Sequence, residues 1–148
     1  MATIAIASDH AGFQLKGELV AELGKLAHMV NDLGPADTSS VDYPDFAVRV
    51  TDAVTGGRAE LGVLICGTGT GMAITANKVH GIRAALCRTE FEARMSRQHN
   101  DANVLCLGQR VTGTGLAIEI LKAFITASFE GGRHATRVEK IRAVEAKR

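Results

Sequence analysis

Residues 61–71, Leu61-Gly62-Val63-Leu64-Ile65-Cys66-Gly67-Thr68-Gly69-Thr70-Gly71, decide the fold. Leu61–Cys66 carries no charged side chain, as expected of a strand at the centre of a parallel sheet covered on both faces. The run ends in three glycines at alternate positions. A helix is expected next, from Met72 to about Lys78. Strand, glycine turn and helix make the core of a βαβ unit.

The same alternation extends in both directions. Thr3–Ala7, His28–Leu33, Ile82–Cys87 and Asn103–Leu107 read as further strands. Between them lie Phe13–Ala27, Asp42–Val54 and Glu90–Gln98, which read as helices. Gly115–Ser128 and the basic stretch His134–Lys147 follow as two more. In Phe13–Ala27 the residues Phe13, Leu15, Leu19, Val20, Leu23 and Leu26 fall at helical spacing, with Lys16, Glu18, Glu22 and Lys25 largely on the other side. Gly34-Pro35 and Gly56-Gly57 are stops. The expectation is one α/β domain over residues 1–148: a three-layer, doubly wound, Rossmann-like sheet of five parallel strands. Ligands of such sheets bind beyond the carboxyl ends of the strands.

Composition agrees and excludes other classes. The chain has 148 residues, 46% hydrophobic and 22% charged, with a mean hydropathy of +0.08. That supports a packed core and excludes a disordered chain. The formal net charge of +1 gives no bulk field for nucleic acid or an anionic membrane. With no Trp and one Tyr, platforms for stacking bases are scarce. No basic, apolar leader and no membrane-length apolar run is present, so the cytosol is the expected compartment. The three cysteines, Cys66, Cys87 and Cys106, fit neither a zinc site nor a disulfide framework.

Chemistry should concentrate at the strand ends. The loop Gly67-Thr68-Gly69-Thr70-Gly71 can turn sharply and aim amide N–H groups at an anion or a developing oxyanion. It can equally be a tight turn without a ligand. It is not a phosphate-binding P-loop, and Met72 breaks the dinucleotide fingerprint. Cys66 sits where a strand meets a helix N-terminus, a setting that favours a thiolate. Cys87 and Cys106 read as core. Asp9-His10 ends the first strand and suits hydroxyl and phosphate contacts, while Asp9 is also a natural helix cap. His99-Asn100-Asp101 falls between helix and strand, either as an acid/base loop or as a solvated turn. Arg133 and Arg137 share one helix face and could clamp a phosphate, with Arg110 as a third cation, or form a solvated basic face. His28 and His80 read as structural or surface residues. No metal-binding motif stands out.

Taken together, the motifs resemble one family, the type B ribose-5-phosphate isomerases with the galactose-6-phosphate isomerases. The matching segments are Ser8–Phe13 (SDHAGF), Asp42–Pro44 (DYP), Ile65–Gly71 (ICGTGTG), Ala76–Lys78 (ANK), Gly81–Ala84 (GIRA), Ser96–Leu105 (SRQHNDANVL) and Glu130–His134 (EGGRH), in order over nearly the whole chain. The resemblance implies interconversion of an aldose phosphate and a ketose phosphate through an enediolate, without a cofactor or metal. It also implies a homodimer, or a tetramer formed by pairing such dimers, with an active site shared between chains. By position, Cys66 would move the proton between C1 and C2, and His99 would open the sugar ring. Asp9 and His10 would hold the substrate, and Gly67–Gly71 would cradle the enediolate oxygen. Asn100, Arg110, Arg133 and Arg137 would complete the substrate and phosphate contacts. One branch of the family has a glutamate in the glycine loop. This chain has Thr70 and no carboxylate there, so it resembles the cysteine branch. Two alternatives stay open: the same reaction on a tetrose, allose or galactose phosphate, and a non-catalytic module that binds phosphate or nucleotide.

Overall fold

The computed structural model describes residues 1–147. It contains one sheet of five parallel strands: β1 (Thr3–Ser8), β2 (Met29–Asp32), β3 (Leu61–Cys66), β4 (Ala84–Leu86) and β5 (Val104–Gly108). The order across the sheet is β2-β1-β3-β5-β4. The helices are α1 (Phe13–Lys25), α2 (Tyr43–Thr55), α3 (Thr70–Ala76), α4 (Glu90–Asn100), α5 (Thr114–Thr126) and α6 (Arg133–Glu145). The expected doubly wound α/β architecture is present.

The strands alternate between two cores. Ile4 and Ile6 of β1, Val63 and Ile65 of β3, and Leu105 and Leu107 of β5 face α1, α4 and α5, where Leu19, Leu23, Ile120 and Phe124 meet them. Ala5, Ala7, Leu64, Cys66 and Cys106 face the other way, toward Phe46, Val50 and Ala53 of α2 and Met72 of α3. The partition follows from topology. The crossovers through α1 and α4 step one way across the sheet, and those through α2 and α3 step the other way. Crossovers of a single hand then put the two sets on opposite faces. The α2 side is lined by small residues, and a Cβ on Gly62 would stand 2.6 Å from Val50. Helix α2 therefore packs close to the sheet at that point.

Several boundaries differ from the sequence expectation for physical reasons. Helix α3 begins at Thr70, because Gly69 turns into the left-handed region (φ 83°) and starts the helix at once. Strand β4 is only Ala84–Leu86, at the sheet edge. The Asn77 side chain there accepts from Ala84 N and donates to Ala84 O, as a neighbouring strand would. Lys16 is not on the polar side of α1. It is buried, with Nζ 2.8 Å from Asp32 Oδ1 and 3.0 Å from the Pro35 carbonyl. His28 has the structural role expected of it, accepting from Ala2 N at 3.1 Å.

Phe124 is fully buried in the α1–α4–α5 core. Phe124→Ala should destabilise the fold by about 3–5 kcal/mol, lost transfer energy plus an unfilled cavity. Urea unfolding at fixed protein concentration measures this, and a loss below about 1 kcal/mol would mean that α5 does not anchor this layer.

Candidate active site

The chain leaves β1 for β2 on one side, and β3 lies on the other. The carboxyl ends of β1 and β3 therefore flank the switch point, where open α/β sheets bind ligands. Asp9, His10, Cys66 and the glycine loop all lie there. Asp9 Oδ1 accepts from Gly12 N at 3.0 Å and caps the short 3-10 turn His10–Gly12. One carboxylate oxygen of Asp9 thus has the capping role foreseen as its alternative. His10 Nδ1 accepts from Val41 N at 3.2 Å, which leaves Nε2 as the donor in the neutral ring.

Cys66 is buried at the end of β3, and its Sγ accepts from Gly69 N at 3.2 Å. The loop that supplies this N–H is held by close backbone approach. A Cβ on Gly108 would stand 2.5 Å from the Thr68 carbonyl carbon, and one on Gly69 would stand 3.0 Å from the Leu107 carbonyl carbon. Gln109 N donates to Cys66 O and Arg110 N to Gly67 O. The Arg110 guanidinium lies against Gly67, where a Cβ would be 3.4 Å from Nη1. Thr70 and Gly71 belong to the first turn of α3, and the Tyr43 ring covers Gly71, 2.5 Å from where a Cβ would be. The sequence reading did not assign Tyr43 to the site. Its signal was the only tyrosine of the chain, inside the Asp42-Tyr43-Pro44 motif.

The remaining candidates gather elsewhere. His99 and Asn100 form the last turn of α4, not a loop, and the helix stops at Asp101 in the left-handed region (φ 50°). With Arg133, His134 and Arg137 of α6 they line a cavity of about 380 Å³. Arg133 and Arg137 share a helix face as expected, and Arg137 Nη1 donates to the Arg133 carbonyl at 3.5 Å. The rings of His99 and His134 stack with centroids 4.1 Å apart and planes 9° from parallel. Burial holds the His134 imidazole below the usual histidine range, and the charges of His99, Arg133 and Arg137 push the same way against Glu130.

Topology separates the two groups. Helix α4 starts after the carboxyl end of β4 and returns to the amino end of β5. His99 therefore lies at the amino edge of the sheet, while Cys66, paired with Gly108, lies at the carboxyl edge. A five-residue strand separates those edges by about 15 Å. Arg110 stays with Cys66, whereas Asn100, Arg133 and Arg137 stay with His99.

Such a sheet, with a cysteine and a glycine loop at its switch point and a separate arginine–histidine cavity, is a doubly wound α/β fold with candidate groups for an anionic ligand at both edges. The family model described as Ribose/Galactose Isomerase matches residues 4–141, and the chain belongs to that family. It is 49% identical over 148 residues to ribose-5-phosphate isomerase B of Escherichia coli, covering 100% of this chain and 99% of the relative. The fold superposes on ribose-5-phosphate isomerase B of Clostridium thermocellum with a TM-score of 0.97, at 52% identity over 98% of each chain. The Mycoplasma genitalium enzyme with bound ribulose-5-phosphate gives 0.93 at 45% identity, covering 99% of this chain and 97% of that one.

The cysteines provide a test of the Cys66 environment. Burial pushes the Cys87 thiol up to about 11 and raises Cys106 further. A raised pKa means less thiolate at any given pH, so both should resist alkylation at pH 8. Iodoacetamide should label Cys66 first, read by peptide mass spectrometry. Labelling of Cys87 at an equal or faster rate would contradict the donor contact at Cys66.

Proposed function

We propose that this chain is a cofactor-independent aldose–ketose isomerase that interconverts ribose 5-phosphate and ribulose 5-phosphate through an enediolate. The observation that carries the reading is Cys66, with its sulfur facing Gly69 N–H inside a glycine loop at the switch point. A proton alpha to a carbonyl is a weak acid, so its removal needs a base together with fixed donors for the developing oxyanion. Cys66 is the base that carries the proton between C1 and C2. The amides of Gly67–Gly71 hold the enediolate oxygen, and Asp9 and His10 hold hydroxyls. His99 opens the cyclic sugar, which otherwise hides its carbonyl. Arg133 and Arg137 hold the phosphate, with Asn100 and Arg110 completing the contacts. The bound ribulose-5-phosphate of the Mycoplasma genitalium relative supports a five-carbon substrate.

These roles require Cys66 and His99 to face the same sugar, and one chain holds them at opposite edges of its sheet. We therefore infer a homodimer in which the carboxyl edge of one protomer meets the His99–Arg137 cavity of its partner. Two-fold symmetry then makes two equal sites from two incomplete halves. No helix among the described residues is long and apolar enough to cross a membrane. Three unpaired cysteines suit a reducing compartment, so the cytosol is the proposed location.

Cys66→Ala should lower kcat at least about 100-fold with the fold intact. His99→Asn should be similarly poor on the cyclic sugar. Refolded together in equal amounts, the two dead variants should recover about a quarter of wild-type turnover, because half of random dimers are hybrids and each hybrid keeps one intact site. No recovery would overturn the shared site. Arg137→Ala should raise KM for the sugar phosphate about 10- to 100-fold and leave the unphosphorylated sugar nearly unaffected. An unchanged KM would remove Arg137 from the phosphate contacts.

A further inference from the structure

Asp101 stops α4 in the left-handed region at φ 50°, a conformation that one other non-glycine residue adopts among those described, Ala27. Glycine is the usual residue at such a stop, and any other side chain costs backbone strain. Two guanidinium groups hold this one. Arg83 Nε donates to the Asp101 carbonyl at 2.8 Å, and Arg83 Nη2 donates to Asp101 Oδ2 at 3.2 Å. Arg97 Nη1 stands 4.0 Å from Asp101 Oδ1 and donates to the Ala102 carbonyl. An aspartate two residues after a histidine is a natural partner for that imidazole. Among the described residues no hydrogen bond joins Asp101 to His99, and its carboxylate is committed to the arginines.

The clamp is anchored away from α4. Arg83 lies just before β4, where its N donates to Asn103 Oδ1 at 2.8 Å and its carbonyl accepts from Asn103 N at 3.0 Å. The Arg97 guanidinium lies over the Phe124 ring of α5, 5.5 Å from its centroid. The side chains of Arg83, Arg97 and Asp101 are 16%, 16% and 31% exposed, so salt screens these contacts less than surface pairs. Arg83 does not line the cavity of His99, Arg133 and Arg137. It lines the neighbouring one, of about 600 Å³, with Ile82, Ala84 and Asn100. Whatever it does for His99 therefore passes through Asp101. On the other side of His99, Gln98 O accepts from Glu130 N at 3.0 Å. The turn that carries His99 and Asn100 is thus bracketed by fixed neighbours at 98 and 101.

We propose that Arg83 is a positioning residue: by gripping Asp101 it sets the direction in which His99 enters the α4–α6 cavity. One planar guanidinium holds the main chain and the side chain of the same residue, so it fixes rotation as well as position. A single ammonium at that point cannot do both. A displacement of about 1 Å at a group that acts on substrate can cost about 100-fold in rate. The effect on rate rests on the isomerase reading, but the clamp does not.

Hydrogen exchange followed by mass spectrometry reads the clamp without any substrate. In Arg83→Met the amides of 98–102 should exchange at least about 10-fold faster than in the wild type, while those of β1 keep their rate. Unchanged exchange at 98–102 would overturn the proposal. A double-mutant cycle reads the coupling to His99. Arg83→Met should lower kcat/KM for ribose 5-phosphate about 10-fold in the wild-type background but no more than about 3-fold in His99→Asn. A purely structural loss would be the same in both backgrounds, so a larger loss in His99→Asn overturns the positioning role, as does a wild-type kcat/KM in Arg83→Met. If Arg83→Met fails to fold, Asp101→Gly takes its place in both experiments, because glycine adopts the left-handed turn without strain and offers Arg83 no carboxylate. A wild-type protein that turns over no sugar phosphate refutes the isomerase reading, and hydrogen exchange still decides the clamp.

Discussion

A parallel sheet obliges the chain to cross back after every strand, and this constraint governs where the chemistry can lie. Each strand delivers its last residue to the carboxyl edge, and each helix carries the next residues to the amino edge. Cys66 ends a strand, and His99 lies in the last turn of a helix. Residues with those positions cannot meet within one copy of this fold, whatever their side chains. The shared site inferred here follows from that geometry, and so does the grouping of Arg133 and Arg137 with His99. Helix α6 begins at the amino edge, because α5 has just returned there.

The carboxyl edge is made rigid by the absence of side chains. Gly108 ends β5 where the Thr68 backbone crosses it, Gly12 lets the first turn pass the Ile65 carbonyl, and Gly69 fits against Leu86 and Leu107. Each contact is closer than any Cβ tolerates, so the loop around the Cys66 sulfur cannot drift outward without breaking backbone packing. Preorganised donors do not have to reorient when charge develops, which is the condition for stabilising an enediolate. Arg110 adds a positive charge against Gly67, on the same side of the sheet edge.

Much of this was legible in the sequence, and the failures have physical causes. The run 61–66 marked a central strand because every position is buried. The glycine loop was legible as a tight approach, although its last two residues are helical. Periodicity placed Lys16 on the polar side of α1, but the partner that buries it, Asp32, is contributed by β2. His99 read as a loop residue because a polar stretch resembles a turn, whereas the helix continues through Asn100. The positions of site residues along the chain do not report which edge of the sheet they reach. That needs the strand order, and a sequence contains no direct statement of β2-β1-β3-β5-β4. The stacking of His134 on His99 is hidden for the same reason.

The division into two edges also separates two electrostatic tasks. The α4–α6 cavity joins two arginines to two histidines, with Glu130 as the acidic group beside the imidazoles. An environment of that sign favours a dianion, and the arginines add to burial, the larger cause, in lowering the pKa of His134. The proposed role of the Cys66 edge has a different requirement: a base that gains and loses a proton, beside amide donors and the single cation Arg110. In the proposed isomerase a phosphate at the far end of a pentose would neutralise Arg133 and Arg137 and leave the reacting carbons outside their immediate field. Its binding energy would then serve, in that proposal, to hold C1 and C2 against the sulfur. If Arg133 and Arg137 stood at that edge beside Arg110, the added charge would stabilise the ground-state thiolate along with the transition state. The base would then gain charge stabilisation at the cost of proton affinity, and a weaker base moves a carbon-bound proton more slowly.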